Sequence, residues 1–247
     1  IKYISIMLVE TDAIVISTLK YNDSSLIVSC YCKRLGLKSF IVKGILKSKK
    51  GLIRRSFFQP LNILAIITNY QKNKSQKLHF FKEIKIVEPL QKIHLDIKKN
   101  NTALFISEIL RKTLPEDGGI NIKLFDFLRK SILDLERKII SSAFYLKFLI
   151  ELSGFLGFYP NMENINDSFF DLETGCFSDI ENNGNSIKGE SLEEFKKILN
   201  TPFNRVNSVS ISSNLSKEIL QNLMKFFSIH LQSFNNLKSH KILNDLF

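Results

Sequence analysis

The chain has 247 residues, room for two domains of ordinary size. Hydrophobic residues make up 44% of it and charged residues 24%, which excludes both a disordered chain and a bundle of membrane spans. Lys and Arg number 35 against 24 Asp and Glu, and a net charge of +11 points to an anionic partner.

In chain order the elements begin with strands. Residues 11–19 and 25–32 are rich in Ile, Val, Ser and Thr, with period two at Leu26, Val28, Cys30 and Cys32. Gly36 interrupts the pattern, and residues 37–43 form a third run. Pro60 opens a fourth, residues 61–68, whose near-continuous Ile and Leu suit a strand covered on both faces. Phe80, Ile84 and Ile86 mark a fifth, which Pro89 stops. Five short strands predict a small barrel over residues 7–88, with an OB-fold as the natural candidate and an SH3-like barrel counting similarly.

After Pro89 the apolar period changes from two to about 3.6. Ile93, Ile97, Leu104, Phe105 and Ile109 share one helical face; Leu124, Phe125, Leu128, Ile132 and Leu135 make a second stripe. Phe144, Phe148, Leu152 and Phe155 lead a third, ended by Gly157 and Pro160. Ser191 and Glu194 have capping-box spacing and are expected to start a fourth helix, with Glu193 and Glu194 in its first turn. Leu215, Ile219, Leu223, Phe226, Phe227, His230 and Phe234 define the last. The expected fold class is therefore α+β: a barrel over residues 7–88, then an α-helical domain over 89–247. An Asn-, Asp-, Ser- and Gly-rich stretch at about 161–189 reads as an irregular insert.

Three cysteines give no disulfide framework and fit a reducing cytoplasm. The longest purely apolar runs fall far short of the ~20 residues a spanning helix needs, so no membrane partner is expected. No basic–apolar leader opens the chain, and the residues before Met7 read as an upstream extension.

The charge is unevenly placed. Residues 1–90 hold 16 Lys and Arg against 5 Asp and Glu, whereas residues 91–247 hold 19 of each. Between Asp23 and Glu83 there are 13 cations and no carboxylate. A solvated surface mixes both signs, so a one-sign field of this length suits nucleic acid. The candidate DNA-binding residues are Lys33, Arg34 and Lys38, then Lys43, Lys47, Lys49, Lys50, Arg54 and Arg55 around one loop. Tyr31, Phe40, Phe57 and Phe58 interleave with them and would either stack bases or fill the core.

Signatures of catalysis are missing. The stretch from Gly44 to Gly51 has six residues between its glycines and is followed by Leu52, so it is not a phosphate-binding Walker loop. His79, His94, His230 and His240 are scattered away from any cysteine pair. Cys30 and Cys32 alternate on a predicted strand rather than in a turn, and Cys176 stands alone, so neither zinc nor another cofactor is expected. An RNA- or protein-binding OB-fold adaptor is the alternative reading, and an enzyme with an unrecognised site a weaker one.

Several stretches resemble the RecO family of bacterial recombination proteins. They are Ala13-Ile-Val-Ile16, Asp23-Ser-Ser-Leu26, Leu35-Gly36, the run from Val42 through Lys43 and Gly44 to Lys50, and Phe58-Gln-Pro-Leu61. The helical half adds Leu104-Phe-Ile-Ser-Glu108-Ile-Leu110, with Phe105 where the family has tyrosine, then Leu156-Gly-Phe-Tyr-Pro160 and Leu237-Lys-Ser239. The resemblance implies an OB-fold on a helical domain in a cytoplasmic, nucleoid-associated and non-catalytic protein. It implies binding to single- and double-stranded DNA, annealing of complementary strands, and loading of RecA with RecR, and in some pathways RecF. It also implies contact with the C-terminal tail of single-stranded-DNA-binding protein (SSB), for which Arg111, Lys112, Arg129 and Lys130 are candidates. Many members carry a four-cysteine zinc finger between the helices; here that region retains only Cys176, which argues against zinc.

Overall fold

The computed structural model describes residues 7–47, 53–70, 78–116, 118–232 and 234. Lys49, Lys50 and Gly51 of the basic loop, His240, and the Leu237-Lys-Ser239 motif lie outside them. Two compact units emerge that interleave along the chain. One takes Ile1–Leu95 and Ser107–Glu136, the other Asp96–Ile106 and Arg137–Phe247.

The first unit is built on five antiparallel strands, β1 (Met7–Lys20), β2 (Leu26–Cys32), β3 (Gly36–Val42), β4 (Ile63–Tyr70) and β5 (Phe81–Glu88), in the order β3-β2-β1-β4-β5. The sheet closes on itself where Phe40 bridges His79 in parallel sense. Ile41 N–H donates to the His79 carbonyl at 2.9 Å, and His79 N–H donates to the Ser39 carbonyl at 2.8 Å. A central β1 flanked by β2 and β4, with β3 meeting the approach to β5 in parallel, is OB-fold topology and excludes the SH3-like count. Alternate residues fill the barrel: Val9, Ala13, Val15, Val28, Cys30, Cys32, Phe40, Leu64 and Ile66 all lie in one core. Each large apolar side chain buried this way contributes about 1.5–3 kcal/mol.

The fourth strand starts two residues later than its composition suggests. Leu61 adopts a left-handed φ of 66° with its N–H on the Val15 carbonyl at 2.8 Å, which bars an extended start. Asn62 ties that corner down, its amide donating to the Ser56 and Phe57 carbonyls at 2.9 and 3.1 Å.

Helical residues within 91–95 and 107–136 complete this unit, and 96–106 pass to the second. The predicted single stripe through Ile93 and Ile97 is in fact two helices, α1 (Gln91–Leu95) and α2 (Ile97–Thr113). Asp96 breaks them, because its carboxylate accepts the N–H groups of Lys98 and Lys99 and caps α2. Ile97 and Leu104, expected on the buried face, are 68% and 41% exposed. Helix α3 (Ile122–Arg137) meets the first-unit strands and α1 through named contacts. Tyr31 stacks on Phe125, Arg129 pairs with Glu88 at 3.0 Å, and the Glu136 carboxylate caps α1 at the N–H groups of Lys92 and Ile93. Ser107 Oγ donates to the Ile16 carbonyl.

The second unit centres on α4 (Ser142–Leu156), which is apolar nearly all round and buried accordingly. Gly157, at φ 95°, ends it in the left-handed conformation that favours glycine. Within α4, Lys147 is buried with its ammonium on the Leu199 carbonyl (2.8 Å) and the Glu151 carboxylate (3.0 Å). The insert is more ordered than its composition suggests. Its strands β6 (Phe169–Asp171), β7 (Cys176–Ser178) and β8 (Ser186–Lys188) form a small antiparallel sheet in the order β7-β6-β8. Phe170 anchors that sheet against Phe177, Phe195 and Phe226.

Helix α5 (Gly189–Asn200) begins two residues before the expected cap. Ser191 is therefore buried in its first turn, while Glu193 and Glu194 pair with Lys196 and Lys197 one turn on instead of facing the helix start. Helix α6 (Ser213–His230) is capped by Ser212, and Phe234 is buried just beyond it. No helix among the described residues is long and apolar enough to cross a membrane.

Candidate nucleic-acid interface

Three local arrangements hold the basic residues that the structure describes. The first lies in the turn between β2 and β3. Lys33 is occupied: its ammonium sits 2.9 Å from the Asp126 carboxylate and 5.8 Å above the Phe125 ring. Arg34 is exposed, and its guanidinium donates to the Glu10 carbonyl at 3.3 Å. Lys38 shares the inward register of Phe40 and Val42 and lines, with Arg34, a groove of about 760 Å³.

The second arrangement pairs Lys43 with Phe80. The Lys43 ammonium stands 5.2 Å from the ring centroid, and Phe80 is 49% exposed. A half-open ring beside a cation offers a base both a stacking face and a phosphate counter-charge. Lys47 follows on the same loop, exposed, with the backbone pinned by Leu46 N–H on the Ser24 carbonyl (3.0 Å) and by Ile45 in the barrel core.

The third comprises Arg54 and Arg55, both exposed at the start of the short 3₁₀ turn Arg55–Phe58. Phe58 plugs that turn into the core, and the Asn62 amide holds its carbonyls. The arginines thus ride on a fixed base rather than on a loose loop.

The aromatics resolve differently from the cations. Tyr31, Phe40 and Phe58 are buried, and Phe57 is half-buried against the same core. The base-stacking option read for the four is therefore removed for the first three by their burial. Phe80 takes that place. Its signal lay in the alternation His79–Phe80–Phe81, inward, outward, inward, which a strand's period of two turns into one exposed ring between two sheltered ones.

His79 is buried between the rings of Phe40 and Tyr70, and among the described residues its Nδ1 has no hydrogen-bond partner. Burial and the nearby Lys38 charge hold it below the ordinary histidine range. Burial likewise pushes the Cys30 thiol well up and the Cys32 thiol to about 12, so both are inert core groups. In the insert Cys176 turns its thiol to the Thr174 carbonyl, and among the described residues no three His, Cys, Asp or Glu side chains gather as a metal site. A lone cysteine does not make a four-cysteine zinc site there.

Of the cations considered for a partner tail, Arg129 is paired with Glu88, whereas Arg111 and Lys130 are exposed on α2 and α3. All four, Lys112 included, fall in residues 107–136, which cluster with the barrel unit.

Comparison with known proteins covers nearly the whole chain. The family model described as "Recombination protein O N terminal" matches residues 7–90, and "Recombination protein O C terminal" matches residues 94–241. A DNA repair protein RecO of Flavobacterium psychrophilum is 36% identical over 241 residues, covering 98% of this chain and all of that protein. Those of Christiangramia forsetii and Bacteroides fragilis are each 33% identical, again over 98% of this chain and all of theirs.

Proposed function

Because the chain belongs to the recombination protein O family of DNA repair proteins, we propose that it is a non-catalytic mediator that binds single- and double-stranded DNA and anneals complementary strands. With RecR, and with RecF where that pathway operates, it helps load RecA onto SSB-coated strands. Residues 7–88 serve as the DNA-binding domain and residues 89–247 as the helical domain, which takes the SSB tail. The protein works without zinc, in the cytoplasm, on the nucleoid.

The observation that carries this reading is the one-sign field: 13 cations and no carboxylate between Asp23 and Glu83, in a stretch whose described residues build most of a closed OB-fold barrel. The DNA contacts are assigned to Arg34, Lys38, Lys43, Lys47, Lys49, Lys50, Arg54 and Arg55, with Phe80 as a stacking ring. Lys33 is the weakest of the nine cations read from the sequence, since Asp126 already neutralises it. Loop cations of this kind meet phosphates and carry no base code. The deciding experiment is a titration of labelled single strands at several salt concentrations, together with an annealing assay. A steep salt dependence with sequence-independent annealing is the expected result. A preference for RNA would favour the adaptor reading, and turnover of nucleic acid would favour an enzyme.

A further inference from the structure

β1 carries more strand than its neighbour covers. It pairs with β4 from Met7 to Ile14 but with β2 only from Ala13 onward. In an antiparallel strand, alternate residues turn both backbone groups to the same edge. Leu8, Glu10 and Asp12 therefore aim theirs away from β4. The carbonyl of Asp12 is taken by Lys33 N–H at 2.9 Å, and that of Glu10 by the Arg34 guanidinium at 3.3 Å. The Leu8 N–H and carbonyl and the Glu10 N–H have no such partner among the described residues. This short open edge runs beside the groove of about 760 Å³ lined by Arg34, Leu35, Lys38, Tyr70 and Ile120.

An unpaired edge in a closed barrel is a template for another strand. The side chains around it are apolar and cationic: Met7 and Leu8 are 58% and 57% exposed, Ile120 is exposed opposite, and Arg34 and Lys38 supply positive charge. We infer that this edge takes an extended segment of a partner protein, which adds as a further strand along residues 7–10 and carries apolar side chains alternating with carboxylates. Backbone pairing would hold it, and Arg34 and Lys38 would select its charge. A second copy of this chain is disfavoured, because it would set one cationic groove against another. DNA is disfavoured along the edge itself, where Met7, Leu8 and the Glu10 carboxylate do not suit a phosphate. Arg34 and Lys38 beside it are shared with the DNA contacts assigned above, so the two partners compete for them. The surface is distinct from the helical one assigned above to the SSB tail.

The test uses the full chain and a synthetic eight-residue probe of alternating Glu and Val, with fluorescence anisotropy and amide hydrogen exchange as readouts. The expected result is binding that slows exchange at Leu8 and Glu10, and that N-methylation of alternate probe amides abolishes. The double variant Arg34→Glu with Lys38→Glu should weaken binding at least tenfold while its circular dichroism stays unchanged. Exchange protection in the unaltered protein tests the site even if that variant is damaged. No probe binding, equal binding of the N-methylated probe, or unchanged exchange at Leu8 would overturn the inference. So would a single-stranded oligonucleotide that protects the Leu8 and Glu10 amides in place of the probe, or self-association that protects them without it.

Discussion

Gly36 and Gly119 meet backbone to backbone: a Cβ placed on Gly36 would lie 2.2 Å from the Gly119 carbonyl oxygen. Gly36 also sits at φ 69°, a conformation that L residues adopt only at a cost of about 1–2 kcal/mol. Gly36→Ala should therefore destabilise the first unit by ~2 kcal/mol or more, strain and displaced backbone together. Urea denaturation would check this, read as a lower midpoint at unchanged slope.

The basic loop makes a quantitative prediction. Each phosphate neutralised on a single strand contributes about 0.7 to the slope of log affinity against log salt. Replacing Lys47, Lys49 and Lys50 together by Ala should flatten that slope by up to ~2 and weaken all sequences alike, with stability kept within about 0.5 kcal/mol. Lys33→Ala is the internal control. Its charge is already balanced by Asp126, so its effect on the slope should be small. Titration of the folded variants at several salt concentrations decides, and an unaltered slope in the triple variant would remove the loop from the DNA site.

Phe80 separates stacking from charge. Loss of a ring on which a base stacks costs about 1–3 kcal/mol. Phe80→Ala should thus weaken single-strand binding at least fivefold, leave the salt slope unchanged and spare duplex affinity. Equal loss for single strand and duplex would assign the ring to packing under Lys43 instead.

Acid should loosen the protein through its histidines. His79 and His94 are both held below the ordinary value near 6.5, in each case chiefly by burial. The folded state therefore binds fewer protons than the unfolded chain once the pH drops below about 6.5, and stability falls with decreasing pH down to the lower folded values. Denaturation midpoints should be flat from pH 8 to 7 and then decline. His79→Phe, set between Phe40 and Tyr70, should reduce that decline, whereas an identical pH profile would acquit His79.

Elemental analysis of the purified protein should find no stoichiometric zinc, and chelator should leave its thermal midpoint unmoved. The reason is local: the small sheet of the insert is held by Phe170 against Phe177, Phe195 and Phe226, where a metal would otherwise be needed as the staple. One zinc per chain, removable with loss of structure, would contradict this.

Periodicity and charge count, both local quantities, were legible without any structure. The alternation from Leu26 to Cys32 placed β2 within one residue of its end, and the stripe from Leu124 to Leu135 marked α3, because burial on one face imposes its period on the sequence. The acid-free stretch between Asp23 and Glu83 needed only counting. Tertiary contacts decided what local pattern cannot hold. Asp96 splits one apolar stripe into two helices by capping the second, and Asp126, 93 residues away, removes Lys33 from the free cations. The fate of the aromatics was settled the same way. Tyr31, Phe40 and Phe58 carry ring surface that could either stack bases or fill a core. Barrel closure at Phe40 and His79 turns Phe40 and Phe58 inward, α3 covers Tyr31 through Phe125, and Phe80 is left outside. A side chain's type fixes what it can do, but its partners are set by which distant segments the closed barrel brings within a few ångströms.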